Sequence, residues 1–223
     1  MAQLLHVQHV SKIFGSEGLR KKDITLAVDD VTFSIADDRP TITAIAGESG
    51  SGKTTLALLM MGQLPPNSGK VFYRGKDLEQ MTRDEKTTLK REVQPIYQDP
   101  YAAYNPFYRV DHVLQTPIRK FGLAKTKEET RLLIEEAMEQ VGLRPAETLG
   151  RFPHQLSGGQ KQRLMVARAL LCRPKVVMAD EPVSMVDASL RATILSSLRK
   201  LNQDFGISII YITHDLTTAY QIS

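Results

Sequence analysis

An eight-residue stretch rich in glycine, with a lysine and a threonine at its end, could bind a phosphate chain. Residues 47–54 read Gly-Glu-Ser-Gly-Ser-Gly-Lys-Thr and match the Walker A pattern in full. The glycines let successive backbone N–H groups curl around phosphate oxygens, while Lys53 adds a positive charge and Thr54 can place its hydroxyl on Mg²⁺. The residues predicted to bind ATP here are Gly47, Ser49, Gly50, Ser51, Gly52, Lys53, Thr54 and Thr55.

A second stretch supplies the carboxylates that phosphate cleavage needs. Residues 176–181 read Val-Val-Met-Ala-Asp-Glu, an apolar run that ends on two adjacent acids. Asp180, at the tip of the predicted strand, suits the Walker B role of holding Mg²⁺ through its water shell. Glu181 can position and polarise a water for in-line attack on the γ-phosphate. An apolar strand ending in Asp-Glu is common by chance, but together with the Walker A stretch it predicts ATP hydrolysis.

The elements around these stretches are those that a phosphate loop requires. Residues 41–46 read as a strand that ends directly at Gly47, and residues 56–61 continue as a helix. Further strands are predicted at 4–10, 27–35, 70–73, 175–179 and 207–212, and helices at 125–141, 158–171, 190–203 and from Asp215 onward. Residues 15–23 read as an exposed hairpin loop. Strands that alternate with helices predict an α/β fold with a mainly parallel, twisted sheet.

Composition narrows the class of protein. A hydrophobic share of 42%, a charged share of 24% and a net charge of +4 are ordinary for a globular domain. We find no run of 18 apolar residues, so no membrane span is predicted, and no secretory signal; a single cysteine, which allows no disulfide framework, fits a reducing, cytosolic setting. Cys172 is the only cysteine and is predicted to be a small buried hydrophobe. Basic residues are scattered, so no nucleic-acid partner is expected.

Residues 156–160 read Leu-Ser-Gly-Gly-Gln, and with the motifs above the whole sequence resembles the nucleotide-binding subunit of an ATP-binding-cassette (ABC) transporter. The resemblance implies a P-loop (RecA-like) ATPase core with a mainly parallel sheet, an N-terminal antiparallel β subdomain and an inserted α-helical subdomain. The expected division of this single nucleotide-binding domain, 1–223, assigns 1–98 and 165–223 to the core with its β subdomain, and 99–164 to the helical signature subdomain. ATP and Mg²⁺ are the implied cofactors.

The resemblance also assigns roles to residues outside the two first motifs. Phe14 fits the aromatic residue that stacks on adenine, although the family more often has Tyr there and core packing is a rival interpretation. Gln98 fits the Q-loop glutamine, which links the γ-phosphate and the metal to the membrane partner. His214 fits the switch histidine that contacts the γ-phosphate. The implied catalytic set is Glu181, His214, Gln98 and Lys53, and the implied metal set is Thr54, Gln98 and Asp180.

The signature loop implies a second ATPase subunit, identical or different. In such proteins two subunits close head-to-tail, so that the signature residues of one meet the γ-phosphate held by the other; here these are Ser157, Gly158, Gly159 and Gln160. Residues 184–187, Ser-Met-Val-Asp, resemble the D-loop pattern Ser-Ala-Leu-Asp. Asp187 is kept and is counted among the ATP-binding residues, while the two central residues depart from the pattern.

Two flanking segments resemble one branch of the family. Residues 98–106, Gln-Asp-Pro-Tyr-Ala-Ala-Tyr-Asn-Pro, are similar to the Q-D-P-x-x-S-L-N-P segment of oligopeptide, dipeptide and nickel importer ATPases, and residues 152–155 resemble their Y-P-H-E lead-in. This branch implies an importer of peptides or a related small solute. It also implies transmembrane permease subunits, indirect contact with an extracytoplasmic solute-binding protein, and a peripheral location on the cytoplasmic face of the inner or plasma membrane.

Two other classes of protein use the same motifs. A soluble ABC-type ATPase of DNA repair, translation or an enzyme complex is the main alternative, although we find no long coiled-coil insertion, second cassette or strongly basic arm. An inactive nucleotide-binding scaffold would have lost Glu181 or His214, and both are present. The sequence stops at Ser223 inside an uncapped helix pattern, which leads us to expect a truncated chain.

Overall fold

The computed structural model describes residues 2–15, 24–96, 104–184, 186 and 188–222, so the predicted loop at 15–23 lies almost wholly outside the described residues. The strands are β1 (Gln3–Phe14), β2 (Thr25–Ala36), β3 (Ile42–Ala46), β4 (Ser68–Tyr73), β5 (Lys76–Asp77), β6 (Val93–Ile96), β7 (Val176–Asp180) and β8 (Ser208–Thr213). The helices are α1 (Lys53–Met60), α2 (Arg83–Glu92), α3 (Asp111–Phe121), α4 (Lys127–Gln140), α5 (Pro145–Thr148), α6 (Gly158–Leu171), α7 (Ala188–Phe205) and α8 (Leu216–Ile222).

The strands form two sheets of different character. The first is antiparallel with the order β2-β1-β4-β5, and Val7 at its centre lies opposite Phe33 on one side and Val71 on the other. The second is parallel with the order β3-β8-β7-β6. The predicted strands and the predicted α/β fold, with an antiparallel sheet near the N-terminus and a parallel sheet in the core, are confirmed.

The two central strands of the parallel sheet, β7 and β8, are buried on both faces, which explains why they are almost entirely apolar. In β7, Val177 and Ala179 face one hydrophobic core, whereas Val176 and Met178 face another. The first core packs against the later helices, including α3, α4, α6 and α7. The second core lies between the parallel sheet, α1 and the antiparallel sheet. Only the ends of these strands are left for polar groups.

Three helices were not predicted: α2, α3 and the single turn α5. The sequence of α2, Arg-Asp-Glu-Lys-Thr-Thr-Leu-Lys-Arg-Glu, has almost no apolar face; its first turn is held by a capping box between Thr82 and Glu85. The sequence of α3 contains Pro117, which argues against a helix interior, yet the helix continues through it and buries Leu114 and Ile118. Packing against α6 therefore overrides local propensity in α3.

A buried carboxylate joins the antiparallel sheet to the start of β6. Glu92, 7% exposed, accepts a hydrogen bond of 2.5 Å from the Tyr73 hydroxyl and lies 3.2 Å from the Arg74 guanidinium. Burial and the bond to Glu92 raise the pKa of Tyr73 far above its usual value, so its hydroxyl remains a donor. Because an unpaired buried charge is costly, these partners fix how the two sheets meet.

We expect Tyr73→Phe to lower the free energy of unfolding by about 1–3 kcal/mol, because the buried carboxylate of Glu92 loses a donor. Urea unfolding at neutral pH measures this loss. Lys76→Met is the control, since Lys76 pairs with Glu85 at the surface and such pairs contribute about 0–1 kcal/mol. Equal losses in the two variants would contradict the role given to Glu92.

Candidate functional site

The loop between β3 and α1 is built to let an anion approach the backbone. Gly50 and Gly52 have φ of 81° and 87°, in the left-handed region that favours glycine. A Cβ on Gly52 would lie 1.8 Å from the carbonyl oxygen of Ala27, so no larger residue fits there. Gly52 is the N-cap of α1 and offers no side-chain cap, which leaves the first N–H groups of the helix available to a phosphate.

Lys53 places its ammonium group inside this loop. The side chain is only 8% exposed, and Nζ donates to the carbonyl oxygens of Gly47 at 2.8 Å and Glu48 at 2.6 Å. No carboxylate within the described ranges forms an ion pair with Lys53. Its charge is therefore positioned by neutral acceptors and remains available to a phosphate group.

The hydroxyl oxygen of Thr54 and the carboxylate oxygens of Asp180 lie together beside Lys53. The Thr54 hydroxyl donates to Oδ2 of Asp180 at 2.9 Å, while Oδ1 is buried and has no hydrogen-bond partner among the described residues. Burial raises the pKa of Asp180 above its usual value, and the bond from Thr54 partly opposes this. A hydroxyl next to an unsatisfied buried carboxylate oxygen fits a hard cation such as Mg²⁺, which prefers oxygen ligands.

No group of three or more His, Cys, Asp and Glu side chains suited to a metal occurs within the described ranges. Mg²⁺ does not need such a group, because it usually takes one or two carboxylates and completes its shell with water and substrate phosphates. Thr54 as a ligand and Asp180 through a water of the ion's shell therefore fit this ion as a partial site.

Glu181 and His214 form a hydrogen-bonded pair at the same edge of the sheet. His214 Nδ1 lies 2.9 Å from Oε1 of Glu181, and the histidine is the more exposed of the two. Glu181 has φ of 46°, a left-handed conformation that costs a glutamate roughly 1–3 kcal/mol and persists only where neighbours enforce it. This backbone turn directs the carboxylate away from the strand and toward His214.

Three strand ends hold these groups at one edge. The N–H of Gly47, just after β3, donates to Thr213 O at 3.2 Å, and the N–H of Glu181, just after β7, donates to Ile212 O at 2.9 Å. Both acceptors lie at the end of β8, immediately before His214. The motifs predicted each group separately; the contact of Gly47 with Thr213 had no signal in the sequence.

The signature residues form the N-terminus of α6. Ser157 is the N-cap: its Oγ accepts from Gln160 N at 3.2 Å, and the Gln160 side chain accepts from Ser157 N at 2.9 Å. Gly158 has open space where a Cβ would be, and Gly159 is buried. No hydrogen bond joins these residues to the phosphate loop within the described part of the chain. Among the described residues the Ser157 hydroxyl accepts a hydrogen bond but donates none, so its hydrogen is available to a ligand.

Phe14 lies at the end of β1 with 42% of its surface exposed. The Lys12 ammonium lies 5.6 Å from its ring centroid. The phenyl ring is thus only partly covered by the protein, which suits a stacking surface better than a core position.

Two predicted site residues, Gln98 and Asp187, and the D-loop residue Met185 lie outside the described residues. One residue that the motifs did not single out is Gln162, which is 1% exposed and donates to Pro182 O at 3.2 Å. A glutamine among the mostly apolar residues of α6 was the signal that could have identified it.

The family model and the relatives found by comparison with known proteins point to the same family. A family model described as ABC transporter matches residues 28–184. The oligopeptide transport ATP-binding protein OppF of Salmonella typhimurium is 38% identical over 197 residues, which cover 88% of this chain and 58% of that protein. OppF of Streptococcus pyogenes serotype M1 is 38% identical over 222 residues, covering 99% of this chain and 70% of that protein. The chain thus spans less than two thirds of the Salmonella relative.

A solved structure shares the fold. The ATP-binding cassette MJ0796, determined as a dimer in a post-hydrolysis state bound to ADP and Pi, superposes with a TM-score of 0.80 at 27% identity. The superposition covers 96% of this chain and 90% of that chain. Because the family model matches more than half of the sequence and the relatives align along most of it, the chain belongs to the ABC transporter family.

Proposed function

We propose that this chain is the ATP-hydrolysing subunit of an ABC importer that takes up peptides or a related small solute. The observation that carries the proposal is the convergence of Lys53, Asp180, Glu181 and His214 at one edge of the parallel sheet. Relatives named as oligopeptide transport ATP-binding proteins support transport over the alternative of a soluble ABC-type ATPase.

The chain's own groups divide the work of hydrolysis. The phosphate loop and Lys53 bind the β- and γ-phosphates, and the half-exposed ring of Phe14 stacks on the adenine. Glu181 orients a water in line with the γ-phosphate and takes its proton, while His214 fixes the carboxylate of Glu181 and contacts the γ-phosphate. Gln98 and Asp187, which lie outside the described residues, are proposed to contact the metal-phosphate group and the dimer partner, respectively.

A second subunit completes the site. Ser157, Gly158, Gly159 and Gln160 lie at a helix N-terminus, where N–H groups and the helix dipole favour an anion. Since they make no hydrogen bond to the phosphate loop of their own chain within the described ranges, we propose that they bind the γ-phosphate held by the partner. The dimeric MJ0796 cassette supports this arrangement. Closure excludes water, and loss of the γ-phosphate lets the dimer open.

Mg²⁺ is the proposed metal cofactor. Thr54 and Asp180 would hold it, Asp180 through its water shell and Gln98 as a further contact. When bound, it neutralises negative charge on the β- and γ-phosphates.

The proposed setting is the cytoplasmic face of a membrane, in contact with permease subunits and, through them, an extracytoplasmic binding protein. None of the helices among the described residues combines the length and apolarity of a membrane span.

The proposed domain division is a core with its β subdomain, 1–98 and 165–223, and a helical subdomain, 99–164. Docking of the permeases near Gln98 and the helical subdomain remains part of the proposal.

We expect Glu181→Gln to reduce ATP turnover by about 10²-fold or more while ATP still binds, because only the base is lost. Lys53→Ala should lose turnover through weaker phosphate binding. Phosphate release and binding of a fluorescent ATP analogue distinguish the two effects. Lys86→Ala, on an exposed lysine of α2, is the control for a lost charge. Turnover that survives both Glu181→Gln and Lys53→Ala would refute the assignment.

Asp180→Asn should raise the Mg²⁺ concentration needed for half-maximal turnover by about 10- to 100-fold, as for other residues that act on a metal through its outer shell. A magnesium titration at saturating ATP measures this. Asp204→Asn removes an exposed carboxylate from α7 and should leave the titration unchanged. An unchanged midpoint for Asp180→Asn would contradict the metal assignment and leave the nucleotide site intact.

Capture of partners tests the transport part of the proposal. Full-length protein carrying Glu181→Gln is affinity-purified with MgATP from detergent-solubilised membranes and analysed by mass spectrometry. We expect two polytopic permease subunits, which the double variant Lys53→Ala/Glu181→Gln should retain less well because it cannot close on ATP. Recovery of soluble partners or nucleic acid alone would overturn the importer assignment without affecting the ATPase assignment.

A further inference from the structure

The left-handed backbone of Glu181 needs neighbours that enforce it. Its N–H donates to Ile212 O at 2.9 Å, and its carbonyl oxygen accepts from Ser184 N at 3.2 Å and Ser184 Oγ at 3.0 Å. The bond to Ile212 ties the Glu181 N–H to β8, and the two bonds from Ser184 hold the Glu181 carbonyl oxygen within the turn itself. Pro182, the next residue, carries a carbonyl oxygen that none of these groups reaches.

Gln162 supplies the donor for that oxygen. Its Nε2 lies 3.2 Å from Pro182 O, and the side chain is 1% exposed. The donor comes from α6, twenty residues earlier in the chain, and not from the sheet that carries Glu181. A buried amide without a partner would be costly, so the bond fixes the distance between α6 and the Pro182 backbone.

The same turn of α6 is held firmly on its other side. The Lys161 carbonyl oxygen accepts from the buried Tyr104 hydroxyl at 2.8 Å, and Arg163 Nη1 donates to Gly142 O at 3.0 Å, just beyond α4. Gln162 thus lies between two residues bonded to the helical segment and itself bonds to the segment after β7. A shift of α6, whose first residues are those of the signature loop, is passed directly to the backbone next to Glu181.

We infer that Gln162 is a positioning residue that holds Glu181 in its productive left-handed turn and ties that turn to the signature helix. The inference rests on the proposed ATPase function. Gln162 lies one turn into α6, so it acts through Pro182 and not by contact with nucleotide or water. Its loss should affect the chemical step and leave nucleotide binding by the phosphate loop unchanged.

Gln162→Met tests the inference, because Met has a similar length but no donor. We expect kcat for ATP to fall about 10- to 100-fold, the cost of a small misplacement of a catalytic group, with KM within about twofold of the unsubstituted protein. Thr148→Val is the control: it removes a hydrogen bond made by another buried side chain, from Thr148 Oγ1 to Arg144 O, within the helical segment but away from Glu181. Its kcat should be unchanged.

Ser184→Ala tests the support of the same turn at Glu181 if Gln162→Met folds poorly. It removes the Ser184 hydroxyl bond to Glu181 O and should also lower kcat at constant KM. Since both groups hold one turn, the double variant should lose less than the product of the single losses. Thermal unfolding of each variant is measured in parallel.

The possible outcomes distinguish failure of the proposed ATPase function from failure of the role given to Gln162. An unsubstituted protein that does not hydrolyse ATP would refute the proposed function itself. Hydrolysis that is abolished by Glu181→Gln but unaffected by Gln162→Met would overturn the role of Gln162 alone. Equal losses of kcat in Gln162→Met and Thr148→Val, or a rise in KM that accounts for the lost kcat/KM, would reduce Gln162 to a structural role and also overturn the inference.

Discussion

The pairing of β8 with β3 on one side and β7 on the other is the constraint on which the rest of the site depends. Ala46 lies opposite Thr213, and Asp180 lies opposite Ile212, so the phosphate loop, the acidic pair and His214 leave the sheet at one level. A shift of β7 by one residue would remove the acceptor of the Glu181 N–H and turn the side chains of β7 to the opposite faces. The chemistry therefore depends first on strand register.

The two hydrophobic cores maintain this register. Neighbouring residues of β7 and β8 point alternately into the two cores, so both strands must be apolar along their length. Charged groups can be placed only at or beyond the strand ends, as Asp180 is at the end of β7. Ligands of open parallel α/β sheets bind outside the carboxyl ends of the strands, and here Gly47, Glu181 and His214 lie at that edge.

The sequence was informative where function depends on local pattern. The Walker A spacing predicts the loop, the apolar run before Asp180 predicts its strand, and alternation predicts the parallel sheet. It gave no indication of the hydrogen bonds between distant segments, such as those of Gly47 with Thr213, Tyr73 with Glu92, and Gln162 with Pro182. Nor does any residue preference indicate the left-handed turn at Glu181, because glutamate is a poor choice for it. Helix α3 was not predicted; Pro117 lowers its local helix propensity, and its packing against α6 is not visible in the sequence.

The central position of β8 determines how destabilising substitutions would affect the activity of this protein. All six residues of β8 are buried, and the strand is paired on both sides. Such a strand opens to solvent only when the whole domain unfolds, so its amides belong to the most protected class in hydrogen exchange. The groups at its end that we propose to be catalytic therefore have no separate melting step. Substitutions in either core would reduce the number of active molecules in the cell and leave the turnover of each surviving molecule nearly unchanged.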